Sequence, residues 1–248
     1  MEQKTETKTA VITGASSGIG REIARKLAEE HVQLVLAARR KDRIDALADE
    51  LTAMGAQVLS VQCDVRDEDS VKHLFAETQA RFGSADILIA NAGFGYRETI
   101  IDGDTKRWKD MLDTNIFGLL LTLKYGAPLL VERGQGDIFL LSSVAGHVVG
   151  AGGGVYSASK FAVNAIGEAL RQEMARKNVR VTLLAPGVVL SEFQDVAGYA
   201  PGFVNNWLGG TPPLETENIA EIVSTVLKLP RHVSLNQMII RPTGQVNP

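Results

Sequence analysis

Cysteine is nearly absent from this chain: Cys63 stands alone among 248 residues. A lone thiol cannot close an internal disulfide, which excludes a disulfide-stapled secreted domain and fits a reducing, cytoplasmic setting. Cys63 ends a strand-like run (VLSVQC) and reads as an inert buried thiol. Histidine is scarce as well. The 4 present (His31, His73, His147, His232) are scattered without ligand spacing, so no catalytic metal is indicated. Basic charge is not in excess: 26 Lys and Arg against 29 Asp and Glu give a net charge of −3, which leaves no footprint for nucleic acid. No apolar stretch approaches the ~20 residues needed to span a membrane. The opening segment MEQKTETK lacks the apolar core of a signal peptide.

What is present is regular alternation. Short apolar runs at 9–13, 33–37, 58–62, 87–90, 137–142, 180–185 and 237–241 predict strands. Amphipathic patterns at 19–30, 42–54, 67–82, 105–132, 155–177 and 216–228 predict helices. Apolar strands alternating with amphipathic helices imply an α/β fold: a Rossmann-type, doubly wound parallel sheet of about seven strands with helices on both faces. The length fits a single domain over residues 1–248, with a polar tail at 1–8 and neither internal linker nor repeat. One stretch, about 190–215, breaks the alternation. Its glycines, prolines and aromatics read either as a flap over a site or as a fixed loop packed by its own side chains.

Two segments carry chemistry. TGASSGIG at 13–20 follows the first strand and opens the first helix. Gly14 permits a tight turn, Gly18 lets backbone approach a pyrophosphate, and Gly20 allows close helix–sheet packing beside the anion-attracting helix N-terminus. Further on, SSVAGHVVGAGGGVYSASK contains Ser143, Tyr156 and Lys160. Tyr156 and Lys160 lie one helical turn apart on one face. A nearby ammonium favours the phenolate, which moves a phenol from its usual ~10 toward useful acid–base chemistry. Taken alone, such a pair is equally an ordinary core tyrosine with a surface lysine. Ser143 ends a predicted strand and can hold a carbonyl or hydroxyl oxygen against the tyrosine. At the end of the second strand, Ala38 stands where an NAD site wants a carboxylate, and Arg39 and Arg40 follow. A guanidinium fork suits a 2′-phosphate, so NADP(H) is expected; a merely solvated cluster at a helix start is the alternative.

Together these segments resemble the short-chain dehydrogenase/reductase family, from Thr9 to the C-terminus. TGASSGIG is similar to its cofactor loop, NAG at 91–93 to its fourth-strand motif, DTNIFG to the segment bearing its asparagine, and PGVVLSE at 186–192 to its P-G-x-x-x-[TS] segment. The resemblance implies four catalytic residues: Asn115, Ser143, Tyr156 and Lys160. Tyr156 would exchange the proton, Ser143 would hold the oxygen, Lys160 would meet the nicotinamide ribose, and Asn115 would hold a water in a proton relay. It also implies cofactor contacts from Gly14, Ser16, Ser17, Gly18, Ile19 and Gly20, and from Arg39 and Arg40. Asp64 and Val65 would meet the adenine, Asn91, Ala92 and Gly93 the adenosine ribose side, and Pro186, Gly187, Val189 and Ser191 the nicotinamide.

The substrate pocket is expected to draw on Phe94, Val144, His147, Val149 and Gly153, with Tyr199, Phe203 and Trp207 from the flap. His147 would orient a polar group or serve as a satisfied neighbour. The lining is mostly apolar and contains no evident arginine to grip a carboxylate, which favours neutral aldehydes and ketones. The C-terminal LPRHVSLNQMIIRPTGQ is similar to the branch holding clavulanate-forming aldehyde reductase and bacterial 3-hydroxy acid (serine) dehydrogenases. The expectation is an NADPH-dependent carbonyl reductase; a 3-hydroxy acid dehydrogenase and a non-enzymatic NADPH sensor are the alternatives. Family members of this type imply a homotetramer built through helices 105–132 and 155–177, with Leu119–Leu121, Phe161 and Ala165 as interface candidates.

Overall fold

Strand β1 (Thr9–Thr13) is buried throughout and lies inside the sheet, next to its central strand. The computed structural model describes residues 7–200 and 202–246, apart from the side chains of Phe203 and Asn205, so most of the expected polar tail lies outside the described residues. The other strands are β2 (Gln33–Ala38), β3 (Val58–Gln62), β4 (Ile87–Ala90), β5 (Gly136–Leu141), β6 (Val179–Pro186) and β7 (Gln237–Ile240). They pair in the order β3-β2-β1-β4-β5-β6-β7, every neighbour parallel. Reversal of the winding direction between β1 and β4 opens a crevice at the C-terminal strand ends, where a doubly wound sheet holds its ligands.

Parallel strands need crossovers, and here helices supply them on both faces. Helices α1 (Gly18–Glu29), α2 (Lys41–Ala53) and α9 (Thr216–Leu227) cover one face, packing Ile23, Leu47 and Val223 onto Ile12, Leu36 and Phe139. Helices α3 (Glu68–Phe82), α5 (Leu119–Glu132) and α6 (Gly154–Met174) cover the other, packing Leu74, Leu130 and Val163 onto Val11, Leu88 and Leu140. Val11 and Ile12 serve opposite layers because successive strand side chains point to opposite faces.

Helix α4 (Thr105–Leu112) runs into α5 through a π-helical turn at Asp113–Gly118. A Cβ on Gly118 would meet Val65 Cγ2 at 2.6 Å, so only glycine lets this turn approach β3's exit loop. The combined run Thr105–Glu132 is, contrary to the sequence expectation, long and apolar enough to cross a membrane by length and composition. Its most apolar window is 61% buried within the protein, as in a core helix. Within it, Leu119 and Leu121 are core residues, whereas Phe117 and Leu120 are exposed, as is Phe161 on α6. The segment at 190–215 is not a plain loop. It holds the short helices α7 (Phe193–Ala197) and α8 (Phe203–Trp207).

Candidate active site

A cleft of about 660 Å³ lies over the C-terminal ends of the strands, and both Gly14 of the glycine-rich turn and Trp207 of α8 line it. The β1–α1 turn forms its floor. Gly14 has φ +69°, and a Cβ there would fall 2.8 Å from Asn91 Nδ2 and 2.9 Å from Ala92 Cα. Gly20 is held as tightly, with Asn91 Nδ2 2.5 Å from where its Cβ would be. Gly18 has φ +56° and meets only Ser191, at 3.4 Å, so backbone is left open toward the cleft. The side chain of Ser17, the N-cap of α1, makes no bond to the first turn, and that turn carries no acidic residue. Its amide groups and the helix dipole therefore favour an anion. Asn91 spends its side chain on structure: Nδ2 donates to the carbonyls of Thr13 (2.9 Å) and Gly14 (3.2 Å), stitching β4 to the turn.

Toward the ends of β2 and β3 the cleft wall is highly charged, with arginines set against Asp64, Asp110 and Glu192. Ala38 is buried and offers no carboxylate, while Arg39, Arg40 and Arg66 line the wall. Arg40, rather than Arg39, engages the glycine-rich loop: Nη2 donates to Ser17 Oγ (2.7 Å) and Ser16 Oγ (3.0 Å), and Nε to Ser16 Oγ (3.2 Å). Asp64 is gripped by Arg66, whose Nη2 donates to Oδ2 at 2.7 Å, and this guanidinium holds the carboxyl below its usual range. Val65 and Cys63 complete that wall. Burial pushes the Cys63 thiol up to about 11, so it stays protonated and unreactive.

The residues of the catalytic expectation converge mid-cleft. Tyr156 is half-buried on the first turns of α6 and lines the cleft with Ser143, whose Oγ donates to the Pro186 carbonyl at 3.4 Å. Ser143 Oγ also accepts from the Ala145 amide at 3.1 Å, which fixes its direction. The Tyr156 ring packs against Phe193 with centroids 5.6 Å apart. A Cβ on Gly95 would meet that ring at 2.7 Å, so Gly95 is a requirement of the site that the reading of the sequence missed. The NAGFG spacing is its only trace there.

Lys160 is buried, with Nζ 5.7 Å from the Tyr156 ring centroid and donating to the Leu141 carbonyl at 2.8 Å. In the protein alone both groups move toward neutrality. Burial pushes the Lys160 ammonium down to about 8 and drives the Tyr156 phenol upward, against the lowering expected from the sequence. The ammonium is turned to a backbone carbonyl, and desolvation outweighs its field at the ring. The amide of Asn115, in the π turn, is committed: Nδ2 donates to the Phe94 carbonyl (2.8 Å) and Ser159 Oγ (3.0 Å), and Oδ1 accepts from the Phe94 amide (3.1 Å).

Of the remaining cofactor candidates, Ser16, Ile19, Ala92, Gly93, Pro186, Gly187, Val189 and Ser191 all line the cleft. So do the substrate candidates Phe94, Val144, Gly153, Tyr199 and Trp207, while the side chain of Phe203 lies outside the described residues. His147 and Val149 do not line it. The His147 ring lies against Gln237 Nε2 (3.0 Å) and Asn164 Nδ2 (3.3 Å), toward β7, and Val149 is exposed. A second departure is Arg97. It lines the cleft with its guanidinium 5.9 Å from the Tyr199 ring centroid, so a cation does face the substrate end. Phe193, Glu192 and Gln245 also belong to the lining.

The family model for short chain dehydrogenases matches residues 8–199. An uncharacterised oxidoreductase of Staphylococcus aureus is 37% identical over 235 residues, covering 95% of this chain and 97% of its own. The chain spans only 19% of the length of a glycine betaine reductase of Emericella nidulans, with 36% identity over 239 residues. Among solved structures, an alcohol dehydrogenase of the archaeon Thermococcus sibiricus with 5-hydroxy-NADP superposes with TM-score 0.88 at 33% identity, covering 98% of this chain and 100% of that one. A serine dehydrogenase complexed with NADP+ superposes with TM-score 0.89 at 32% identity, covering 96% of each.

Proposed function

Because the chain belongs to the short-chain dehydrogenase family, an oxidoreductase family, we propose that it reduces neutral aldehydes or ketones to alcohols with NADPH. The observation that carries this reading is the convergence of Ser143, Tyr156 and Lys160 in one cleft whose wall includes the apolar Phe94, Val144 and Phe193. NADPH, when bound, supplies the hydride. Its fit is supported by the glycine cradle, the free first turn of α1 and the guanidinium of Arg40. Gly14, Ser16, Ser17, Gly18 and Ile19 would hold its phosphates, with Asp64 and Val65 at the adenine and Pro186, Gly187 and Ser191 at the nicotinamide.

The chain's own residues supply position and a proton. Ser143 Oγ, oriented by the Ala145 amide, holds the carbonyl oxygen beside the Tyr156 hydroxyl. Tyr156 gives its proton to that oxygen in reduction and takes it back in oxidation. The Lys160 ammonium stabilises the phenolate left behind. Asn115 locks Phe94 next to the tyrosine. A water held at this residue in a proton relay would have to bind beside an amide already engaged with Phe94 and Ser159. The exposed Phe117, Leu120 and Phe161 support assembly through the α5 and α6 faces into a homotetramer. The reading is tested by NADPH oxidation across neutral aldehydes, aryl ketones, β-keto esters and 3-oxo acids; turnover confined to the acids overturns it.

Arg40→Ala is expected to weaken NADPH binding roughly 10- to 100-fold, the worth of losing a charge-assisted hydrogen bond, and NADH binding by under about twofold. Arg39→Ala should do less to NADPH, since Arg39 does not touch the serines. Fluorescence titration of both cofactors checks this; equal losses for the two would remove the 2′-phosphate argument.

Arg97 favours a second reading, an NADP-dependent 3-hydroxy acid dehydrogenase, since a guanidinium at the substrate end suits a carboxylate. On that reading Arg97→Leu raises KM for 3-hydroxy acids roughly tenfold or more and leaves kcat within about twofold. If the acids are unaffected while neutral carbonyls slow, Arg97 has no carboxylate role.

A further inference from the structure

Glu192 stands at the start of α7, where the segment that carries Phe193, Tyr199 and Trp207 leaves the end of β6. It is far in sequence from α2, yet its carboxylate reaches the α2 N-terminus. Oε2 accepts from Arg40 Nη1 at 3.0 Å, and Oε1 accepts from Arg43 Nη1 at 2.6 Å. The same Arg40 guanidinium donates to Ser16 and Ser17 of the glycine-rich loop. Glu192, Arg40, Ser16 and Ser17 thus form one connected set along the cleft wall. Of the arginines that line this wall, Arg40 is the one bonded to the glycine-rich loop, and Glu192 pairs with it and with Arg43 of α2. No cap bond or core contact requires an acid at this position, because the Glu192 side chain does not cap α7.

We propose that Glu192 is a built-in competitor for the cofactor's 2′-phosphate, and that the phosphate displaces it from Arg40 and Arg43. The proposal rests on the NADPH reading and adds a residue to it. Because Glu192 opens α7, its displacement releases the end of the segment that roofs the substrate part of the cleft. The coupling is reciprocal: whatever holds the segment down weakens the phosphate, and the phosphate loosens the segment to the same degree. NADH carries no 2′-phosphate and leaves the contact intact. Glu192 therefore acts on discrimination between the cofactors through the one group in which they differ.

The test is equilibrium binding, free of any assay of turnover. Wild type and Glu192→Gln are titrated calorimetrically with NADP+, NAD+, 2′,5′-ADP and 5′-AMP. Ion pairs this exposed are each worth less than about tenfold, so the variant is expected to bind NADP+ and 2′,5′-ADP about three- to tenfold more tightly. NAD+ and 5′-AMP should be unchanged. In wild type, 2′,5′-ADP is expected to speed limited proteolysis within 190–215, and in Glu192→Gln that cleavage should be fast with or without it. Unchanged or weaker binding of 2′,5′-ADP by the variant overturns the proposal, as does equal tightening of 5′-AMP. If wild type binds 2′,5′-ADP no better than 5′-AMP, the NADPH reading itself has failed, which is a separate result.

Discussion

Tyr156→Phe is expected to lower kcat for carbonyl reduction by roughly 10²–10⁴-fold, the range for loss of a positioned general acid, and to leave NADPH affinity within about twofold. The substitution deletes one oxygen. The ring keeps its packing against Phe193 and its fit over Gly95, so the variant should fold normally. What disappears is the hydroxyl that the mechanism uses as proton donor in the cleft it shares with Ser143. Single-turnover reduction with bound NADPH measures the chemical step directly. A loss smaller than tenfold would assign the proton to another group and sink the mechanism. Ser143→Ala should behave differently, retaining the donor while losing the group that holds the oxygen.

The largest expected effect on stability lies at the opposite end of the sheet. Asp137 and Arg180 are register partners on β5 and β6, both buried, with Arg180 Nε donating to Asp137 Oδ1 at 2.5 Å. Arg231 donates to the other oxygen at 2.8 Å. Arg180 also donates to the carbonyls of Val226, Leu229, Pro230 and Val233, tying the end of α9 and the approach to β7 onto the sheet. Removing the carboxylate with Asp137→Ala leaves the Arg180 guanidinium buried without its counter-charge, which costs about 3–5 kcal/mol, while the partly exposed Arg231 keeps the Gly136 and Asn178 carbonyls. For a chain of this size that lowers Tm by roughly 6–20 °C. Since Asp137 lies at the N-terminal end of β5 and Ser143 beyond its C-terminal end, kcat at 25 °C should hardly change. A melting shift under 2 °C would mean that the arginines find other partners.

Much of this architecture was legible in the chain. TAVIT, QLVLAA and ILIA are apolar, short and bounded by turn residues, and they became β1, β2 and β4 where the pattern put them. The cleft residues were legible for a similar reason: the glycines and the Tyr156–Lys160 spacing are local geometry, written in neighbouring letters. What was misread depends on distant groups. The π turn at Asp113–Gly118 has no periodic signature distinct from α. The arginine that meets the glycine-rich loop is Arg40 because Ser16 and Ser17 lie under it, a fact of tertiary placement. His147 points toward Gln237 on β7, and Arg97 reaches Tyr199 in the segment after α7. Neither pairing leaves a trace in local sequence. The upward drive on Tyr156 comes from burial, which composition does not report.

Lys160 carries a consequence beyond its place beside the tyrosine. Its ammonium is buried against a neutral carbonyl, so its charged form is less stable in the folded chain than in water. That penalty is fully present below about pH 8 and is relieved as pH rises toward the ordinary lysine value of 10.5. At neutral pH the fold therefore carries a strained charge, and an uncharged isostere such as methionine would make it more heat-stable but inert. Selection for robustness alone would remove this lysine. On the proposed mechanism its presence trades thermal resistance for activity, and attempts to harden the protein should leave it alone.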